Sequence, residues 1–315
     1  MTTTRRNFLL PGMVIATGIV MLLLALDIPH ENLADLIRRS WPVLLMIVGL
    51  NMLLIDRVRF GNWLALVLSI VGLAVIVFFA YDARANEVRA DYVEVVEPIP
   101  LGDNIQAVNV DVRVRDATVT FRAADNAERA IGARFVGSTE SEVRIAVLED
   151  ENGVVNLSVV EERPNAIPNL ERMGRGELEV LLPVGVPVTD LTFISESGGT
   201  TFDFRALDVP RFDVEQGSGG MNLWLPLRGV AIGDVILDDG NLSIIVEREA
   251  SLRVEGRRGA TNVLDGAYSA LADGTIESRG GLIEFQYNLR ADVPGGTLTI
   301  ETPEEHDARV APEEG

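Results

Sequence analysis

The sequence contains no lysine and no cysteine, and its only histidines are His30 and His306. Without lysine the chain has no P-loop lysine, no Schiff-base lysine and no Ser-Lys dyad. Without cysteine it has no disulfide, thiol nucleophile, Cys-ligated zinc or iron–sulfur cluster. Two imidazoles far apart in the chain leave little scope for histidine-based catalysis or a histidine-rich metal site. We therefore expect no catalytic residues, no cofactor and no metal.

The negative charge is concentrated in one part of the chain. Residues 1–90 carry 8 arginines and 6 acidic residues, a net charge of +2, whereas residues 91–315 carry 19 arginines and 41 acidic residues, a net charge of −22. A chain with a pI near 4.5 lacks the basic face that binds nucleic-acid phosphates, so we expect no nucleic-acid partner. The change in composition divides the chain near residue 90 into two parts of different kinds.

Three apolar runs predict that residues 1–81 form a transmembrane domain. We place the spans at about 8–26, 41–55 and 62–81, because ~20 apolar residues in a helix cross the hydrocarbon layer of a bilayer. A secretory signal peptide is the alternative interpretation of the first run. That run is longer than an ordinary signal sequence, however, and no small-x-small cleavage site follows it. The lipid bilayer is therefore an expected partner.

Several residues of these runs are candidate membrane-interface or helix-packing positions. Aromatic residues and a first-turn proline are typical of the boundary of a span, whereas a glycine or an amide inside a span is typical of close helix contacts. The candidates are Trp41, Pro42, Gly49, Asn51, Trp63 and Tyr81. Asn51 is the one strongly polar residue within a span, and we interpret it as an amide bonded to a neighbouring helix.

The arginines that flank the spans do not decide the orientation, because four lie on each side. Arg5 and Arg6 precede the first span without an acidic residue, and the first helix usually sets the orientation, which favours a cytoplasmic N-terminus. Three spans then place the remainder of the chain outside the cytoplasm. We expect a multi-pass protein of the cell membrane whose second domain is extracytoplasmic.

The remainder of the chain is predicted to be a linker, an all-β domain and a tail. Residues 82–104 are charged and contain prolines, which predicts a linker. Between residues 105 and 300 apolar and polar residues alternate, as at Val108 and Val110, which predicts half-buried strands and no long helix. Residues 301–315 are strongly acidic, and we expect a disordered tail that blocks strand addition.

Glycines recur at a nearly constant interval in the second half of the β domain. The marker positions are Gly199, Gly220, Gly240, Gly259 and Gly281, separated by 21, 20, 19 and 22 residues. Each is predicted to mark a tight corner, where a positive φ or a close backbone approach is needed. A period of ~20 residues indicates stacked units that share one core, so the expected fold is a β-solenoid or a twisted β-sandwich.

Two parts of the sequence resemble known bacterial families. Residues 38–50, in which Trp41-Pro42 opens an apolar helix, resemble the transmembrane region of LiaF/LiaI-type envelope-stress proteins. Residues 178–186 and 191–199 resemble the apolar-Pro-x-Gly and Ser-Gly signatures of the adhesin-like "toastrack" β-repeat domain. LiaF-type proteins usually have four spans, whereas three are found here, so the topology of the family is not carried over.

The resemblance implies a non-enzymatic membrane protein that senses or modulates cell-envelope stress signalling through protein–protein contacts. It also implies a membrane sensor kinase or another envelope protein as the partner. The alternative is a membrane-anchored structural or adhesin-like surface protein. Three spans exceed what an anchor needs, which favours the signalling hypothesis. The identity of the partner and the oligomeric state are left open by the sequence.

Overall fold

The computed structural model describes Val67 and residues 88–310, with gaps at 126–127, 140, 163–173, 264–267, 272–273 and 279–281. Contacts between Cα atoms divide the chain into two compact units, one of residues 1–87 with 167–173 and the other of 88–166 with 174–315. The three predicted spans lie outside the described residues, apart from Val67, which is helical. Across the described part of the chain, we find no helix that is long and apolar enough to cross a bilayer.

The described part of the second unit consists of β-strands and one short helix. The strands are β1 (Tyr92–Pro100), β2 (Ala107–Ala123), β3 (Ala130–Gly137), β4 (Glu142–Glu149), β5 (Val154–Glu162), β6 (Gly176–Leu182), β7 (Val188–Ser197), β8 (Thr200–Asp203), β9 (Arg211–Ser218), β10 (Met221–Trp224), β11 (Gly229–Asp239), β12 (Asn241–Ile245), β13 (Ala250–Glu255), β14 (Arg258–Val263), β15 (Tyr268–Ala270), β16 (Ile276–Ser278) and β17 (Leu282–Glu301). The helix is α1 (Pro303–Val310).

These strands pair into two sheets. In sheet I the order is β1, β3, β6, β2, β8, β10, β12, β17 and β14. In sheet II the order is β4, β5, β2, β7, β9, β11, β17, β13, β16 and β15. The central pairs of both sheets are parallel, and antiparallel pairs occur towards the ends. A stack of parallel strands with a corner between the sheets fits the β-solenoid that the sequence predicted.

The two longest strands run through both sheets. β2 pairs with β5 and β7 in sheet II, and it continues past residue 116 to pair with β6 and β8 in sheet I. β17 likewise pairs with β11 and β13 in sheet II and then with β12 and β14 in sheet I. Each long strand therefore forms a complete layer of the stack. The layers on both sides of β2 come later in the chain, and the layers on both sides of β17 come earlier.

The layers do not all follow the order of the sequence, which corrects the predicted repeat. The layers β7/β8, β9/β10 and β11/β12 are stacked consecutively, as the glycine period indicates. The next layer is β17, and the strands β13 and β14 are stacked beyond it. A repeat read along the chain places residues 252–264 directly on β11/β12, because parallel pairing carries no local signal of which strand is inserted between two others.

Alternating apolar side chains from both sheets fill the space between them. Val108, Val110 and Val112 of β2 are all buried, as their spacing predicts. The centre is aromatic: the rings of Phe121 and Phe202 stack with their centroids 4.8 Å apart. Aromatic pairs in such arrangements add roughly 0.5–1.5 kcal/mol each beyond the burial of their area. The core is therefore contiguous along the stack.

Part of the predicted linker is a strand. Residues 92–100 form β1, which pairs antiparallel with β3 through pairs such as Tyr92 with Gly137. The Tyr92 ring lies 6.2 Å from that of Phe135, so this strand contributes to the core. Charged residues and prolines suggested a linker here, but Tyr92, Val93 and Val95 are of the aromatic and β-branched types that are enriched in strands. Pro98 and Pro100 lie near the end of that edge, where a missing N–H is tolerated.

Part of the predicted disordered tail is also ordered. Glu301 is the last residue of β17, and Pro303–Val310 form helix α1. Thr302 precedes the helix: its Oγ1 lies 3.4 Å from the backbone N of Glu305, and the Glu305 carboxylate accepts a bond of 2.9 Å from the Thr302 N–H. This reciprocal pair is a capping box followed by proline at the first helical position. The acidic composition concealed this local start signal, so the prediction for residues 301–310 is wrong.

Candidate functional site

The sequence-predicted site residues fall into two groups. Trp41, Pro42, Gly49, Asn51, Trp63 and Tyr81 lie outside the described residues. The first three marker glycines lie at or next to corners between the two sheets. The left-handed backbone occurs at Gly198, Gly219 and Gly240, with φ of 130°, 115° and 138°. Gly199 and Gly220 are the residues that follow those corners.

Of the last two markers, only Gly259 lies among the described residues, and a Cβ added to it would lie 2.7 Å from the carbonyl oxygen of Gly296, which is the predicted close backbone approach. Gly259 lies within β14, and the left-handed corner before that strand is at Gly256, with φ of 129°. Gly281 lies outside the described residues. The corner of the β17 layer contains Gly295 and Gly296, which lie inside that single long strand. The correct corners were missed because a fixed period continued past β12, where the order of the layers changes.

Among the described residues, no three His, Asp or Glu side chains are grouped so that they could hold a metal ion. The outer faces of the sheets carry two other features: a polar depression on sheet II, and a strip of sheet I that is contacted by helix α1.

The depression on sheet II is shallow, with a volume of ≈ 370 Å³. Its polar side chains are bonded largely to each other. Asn109 Nδ2 donates to Asn156 Oδ1 at 3.1 Å, and Thr189 Oγ1 donates to Asn109 Oδ1 at 2.9 Å. Arg113 Nε donates to Asp111 Oδ1 at 3.1 Å. The first two bonds join side chains of neighbouring strands, and the third joins two residues of β2.

The strip on sheet I consists of four residues in one transverse row, and we call it the outer strip. Asp203 of β8 lies beside Trp224 of β10, Trp224 lies beside Ile245 of β12, and Ile245 lies beside Glu301 of β17. Alternation along each strand directs these side chains away from the core. Even so, Ile245 is 1% exposed and Glu301 is fully buried. The end of the strip is thus removed from water although it faces outwards.

Helix α1 supplies the groups that surround Glu301. Arg309 Nε donates to Glu301 Oε2 at 3.0 Å, and Arg309 Nη2 donates to Oε1 at 2.6 Å. His306 Nδ1 lies 2.8 Å from the same Oε1, and Arg309 Nη2 also donates to Ser243 Oγ at 3.2 Å. The guanidinium fork on a carboxylate is the strongest common ion-pair geometry. We call Glu301, His306, Arg309 and Ser243 the helix clamp.

The ionisation of the helix clamp follows from these contacts. Burial raises the pKa of Glu301, but the hydrogen bonds from Arg309 and His306 outweigh it and hold this pKa below its ordinary value. The hydrogen bond to Glu301 raises the pKa of Arg309. Glu301 is consequently ionised at neutral pH, and its charge is compensated only while α1 is in place.

Trp224 lies between two cationic or ionisable side chains in the middle of the outer strip. The Arg205 guanidinium lies over the ring, 4.4 Å from its centroid, and the His306 ring meets it edge-on at 5.0 Å. Arg205 also binds Asp203 through two hydrogen bonds of 2.8 and 2.6 Å. The hydrogen bond from Arg205 holds the pKa of Asp203 below its ordinary value. The strip therefore combines carboxylates with an aromatic ring, a combination that suits guanidinium groups.

Comparison with solved structures identifies the fold of the β domain. A candidate cell adhesion protein from Clostridium sporogenes has a TM-score of 0.54 at 11% identity, covering 67% of this chain and 98% of that chain. A candidate adhesin from Bacteroides fragilis aligns at 10% identity with a TM-score of 0.25, covering 67% of this chain and 97% of that chain. At 11% identity, the likeness to the Clostridium sporogenes protein shows a shared fold alone.

Comparison of sequences identifies the N-terminal part. No curated protein matches the chain. Residues 8–53 match the family model of the LiaI-LiaF-like transmembrane region. The matched residues include Trp41-Pro42, which carries the resemblance in the sequence. The protein is therefore associated with the membrane, and it joins a LiaI-LiaF-like transmembrane region to an all-β domain with an adhesin-like repeat fold.

Proposed function

We propose that this chain is a non-enzymatic bacterial membrane protein that modulates cell-envelope stress signalling through protein–protein contacts. The observation that carries the proposal is the joining of a LiaI-LiaF-like transmembrane region to an adhesin-like β domain in one chain. The absence of lysine and cysteine from the sequence supports a role by contact rather than by catalysis. The expected partner is a membrane sensor kinase or another envelope protein.

The membrane topology is part of the same proposal. Three spans at about 8–26, 41–55 and 62–81, with a cytoplasmic N-terminus, place the β domain outside the cytoplasm. Protease added to intact cells or spheroplasts should then digest the β domain from outside. Digestion that occurs only after lysis would place the domain in the cytoplasm and reverse the orientation.

The signalling role is tested by exchanging the transmembrane domain. Residues 1–81 are replaced by one unrelated anchoring helix that keeps the β domain on its native side, and the level of the protein is matched by immunoblotting. If the spans contact a partner in the bilayer, an envelope-stress reporter should respond to the exchanged chain as it does to deletion of the protein.

A silent exchange would favour the alternative, in which the spans serve only as an anchor for a structural or adhesin-like surface domain. The fold shared with a candidate cell adhesion protein is the observation on the side of that alternative. Adherence of cells with and without the β domain would then be the relevant measurement.

A further inference from the structure

The helix clamp places a fully buried carboxylate under a guanidinium from a short helix at the periphery of the domain. Glu301 is 0% exposed, whereas the Arg309 side chain that neutralises it remains 48% exposed. A buried carboxylate that loses its partner is strongly unfavourable, because neither water nor a counter-charge then compensates it. Glu301 therefore requires a cation beside its carboxylate whenever another segment covers it and excludes water.

The helix that supplies this cation is attached by few contacts. α1 has eight residues, and His306 is its buried residue. Isolated helices of this length are marginal in water, so α1 depends on its docking for stability. Segments with little buried apolar surface are those that open locally at the lowest free-energy cost. We therefore expect α1 to open at a lower free-energy cost than the β-sheets beneath it.

The surface under α1 has the features by which proteins recognise arginine. Glu301 accepts a two-pronged guanidinium, and Ser243 offers a hydroxyl acceptor beside it. Trp224 makes an edge-on contact with His306 of α1, while Arg205 of the domain already lies over the Trp224 ring. Arginine suits such a site better than lysine, since its planar fork matches a carboxylate and stacks on aromatic rings. The strongly acidic domain also attracts basic segments over longer distances.

We propose that the outer strip, together with Ser243, is an arginine-recognition surface and that α1 occupies it as a built-in competitor. A partner segment that presents an arginine from a short helix binds Glu301 in place of Arg309, and α1 is displaced. This inference rests on the proposed function, because it supplies the contact surface of a protein that works through protein partners. The opposing interpretation is that α1 is a permanent part of the domain.

The two interpretations are separated by offering α1 in trans. The full-length protein in nanodiscs is compared with a variant that ends at Thr302, and the probe is a fluorescent peptide of residues 302–315. We expect the shortened variant to bind the peptide and the full-length protein to bind it at least tenfold more weakly, since its own helix occupies the surface. The Arg309→Ala peptide should bind the shortened variant roughly tenfold or more weakly, because a charge pair is lost.

Two matched controls identify the groups involved. A peptide with Glu304→Gln, a change at an exposed position of α1, should bind the shortened variant as the native peptide does. The Glu301→Gln change in the shortened variant should weaken the native peptide to the level of the Arg309→Ala peptide. Equal binding of the native and Arg309→Ala peptides would overturn the proposal.

A second variant tests the proposal without shortening the chain, in case the shortened chain misfolds. His306→Ala with Arg309→Ala in the full-length protein removes both clamp groups of α1 and keeps the length of the chain. This variant should gain binding of the native peptide. If neither variant binds the peptide, or if both lose their β-sheet circular dichroism, α1 is a permanent structural element and the proposal is wrong. The peptide-binding measurements do not depend on an envelope-stress reporter. Failure of this arginine-recognition proposal can therefore be distinguished from failure of the proposed signalling role.

Discussion

The corner glycines form a column along the stack, in which the backbone of each one lies close against the backbone of the one before it. A Cβ added to Gly219 would overlap the carbonyl oxygen of Gly198, and one added to Gly240 would overlap that of Gly219. The same relation joins Gly296 of β17 to Gly240. Beside this column the buried amide of Gln216 donates to the carbonyl oxygens of Gly198 and Ser218, both at 3.0 Å. Close backbone approach therefore sets which corner residues must be glycine.

Gly219→Ala should destabilise the domain strongly. Its φ of 115° is unfavourable for any residue with a Cβ, and the added methyl meets the backbone of the neighbouring layer, which cannot move aside. Backbone strain of this kind costs about 1–3 kcal/mol, and we expect a decrease in the free energy of unfolding at the upper end of that range. Urea unfolding of the β domain followed by circular dichroism would measure it.

The adjacent glycine provides the matched control. A Cβ at Gly220 would meet nothing within 4 Å, and this residue does not have the left-handed backbone. Gly220→Ala should therefore change the free energy of unfolding by less than about 1 kcal/mol. If the two substitutions are equally destabilising, the assignment of the corner to Gly219 rather than Gly220 is wrong.

Helix α1 shows how a single carboxylate couples an element to pH. The pKa of Glu301 is lowered in the folded protein, so its contribution to docking is complete above the unfolded value of about 4.3 and is lost as the pH falls through the lowered folded value. We expect α1 to undock on acidification below about pH 4. Fluorescence of Trp224, which touches His306, measures this when Trp41 and Trp63 are replaced by phenylalanine.

Glu301→Gln is the control for this titration. It keeps the shape of the side chain and removes the ionisation, so the acid transition assigned to Glu301 should disappear. Asp203 also has a lowered pKa and lies beside Trp224, and Asp203→Asn separates its contribution. An unchanged transition in Glu301→Gln would show that other groups control the docking of the helix.

The sequence predicted where the strands lie more successfully than it predicted which strands pair with each other. The alternation at Val108 and Val110 identified β2, because one face of a half-buried strand must be apolar. The change of sheets near residue 116 left a signal that the prediction did not use. The buried positions have even numbers up to Val114 and odd numbers from Ala117, because Arg115 and Asp116 are both polar. The clamp was missed for another reason: Glu301, His306 and Arg309 look like solvated tail residues until α1 folds back over β17.

The position of β17 makes the last strand essential to the second half of the stack. It pairs with β11 and β12 on one side and with β13 and β14 on the other. These contacts are non-local, and the loop-closure entropy of such pairing must be lost before the contacts form. Among the described strands, β17 is the parallel neighbour of β13 and β14, so this layer gains its parallel pairing only when β17 is present.

A chain that ends at Ser278, and so lacks β17 and α1, should lose the order of β13 and β14 and keep that of the layers around β2. Trypsin provides the measurement, because without lysine the chain is cleaved only after arginine. Arg253 and Arg258 of β13 and β14 should become sites of rapid cleavage, whereas Arg113 and Arg122 of β2 should stay protected by the pairing on both sides of that strand.

The chain that ends at Thr302 is the matched control, since it lacks α1 but keeps every residue of β17. In this variant Arg253 and Arg258 should be cleaved as slowly as in the full-length protein, with the cleavage products identified by mass spectrometry. Continued protection of Arg253 and Arg258 in the chain that ends at Ser278 would contradict the inserted position of β17. It would favour a stack in which β13 and β14 follow β11 and β12 directly, as the glycine period alone predicts.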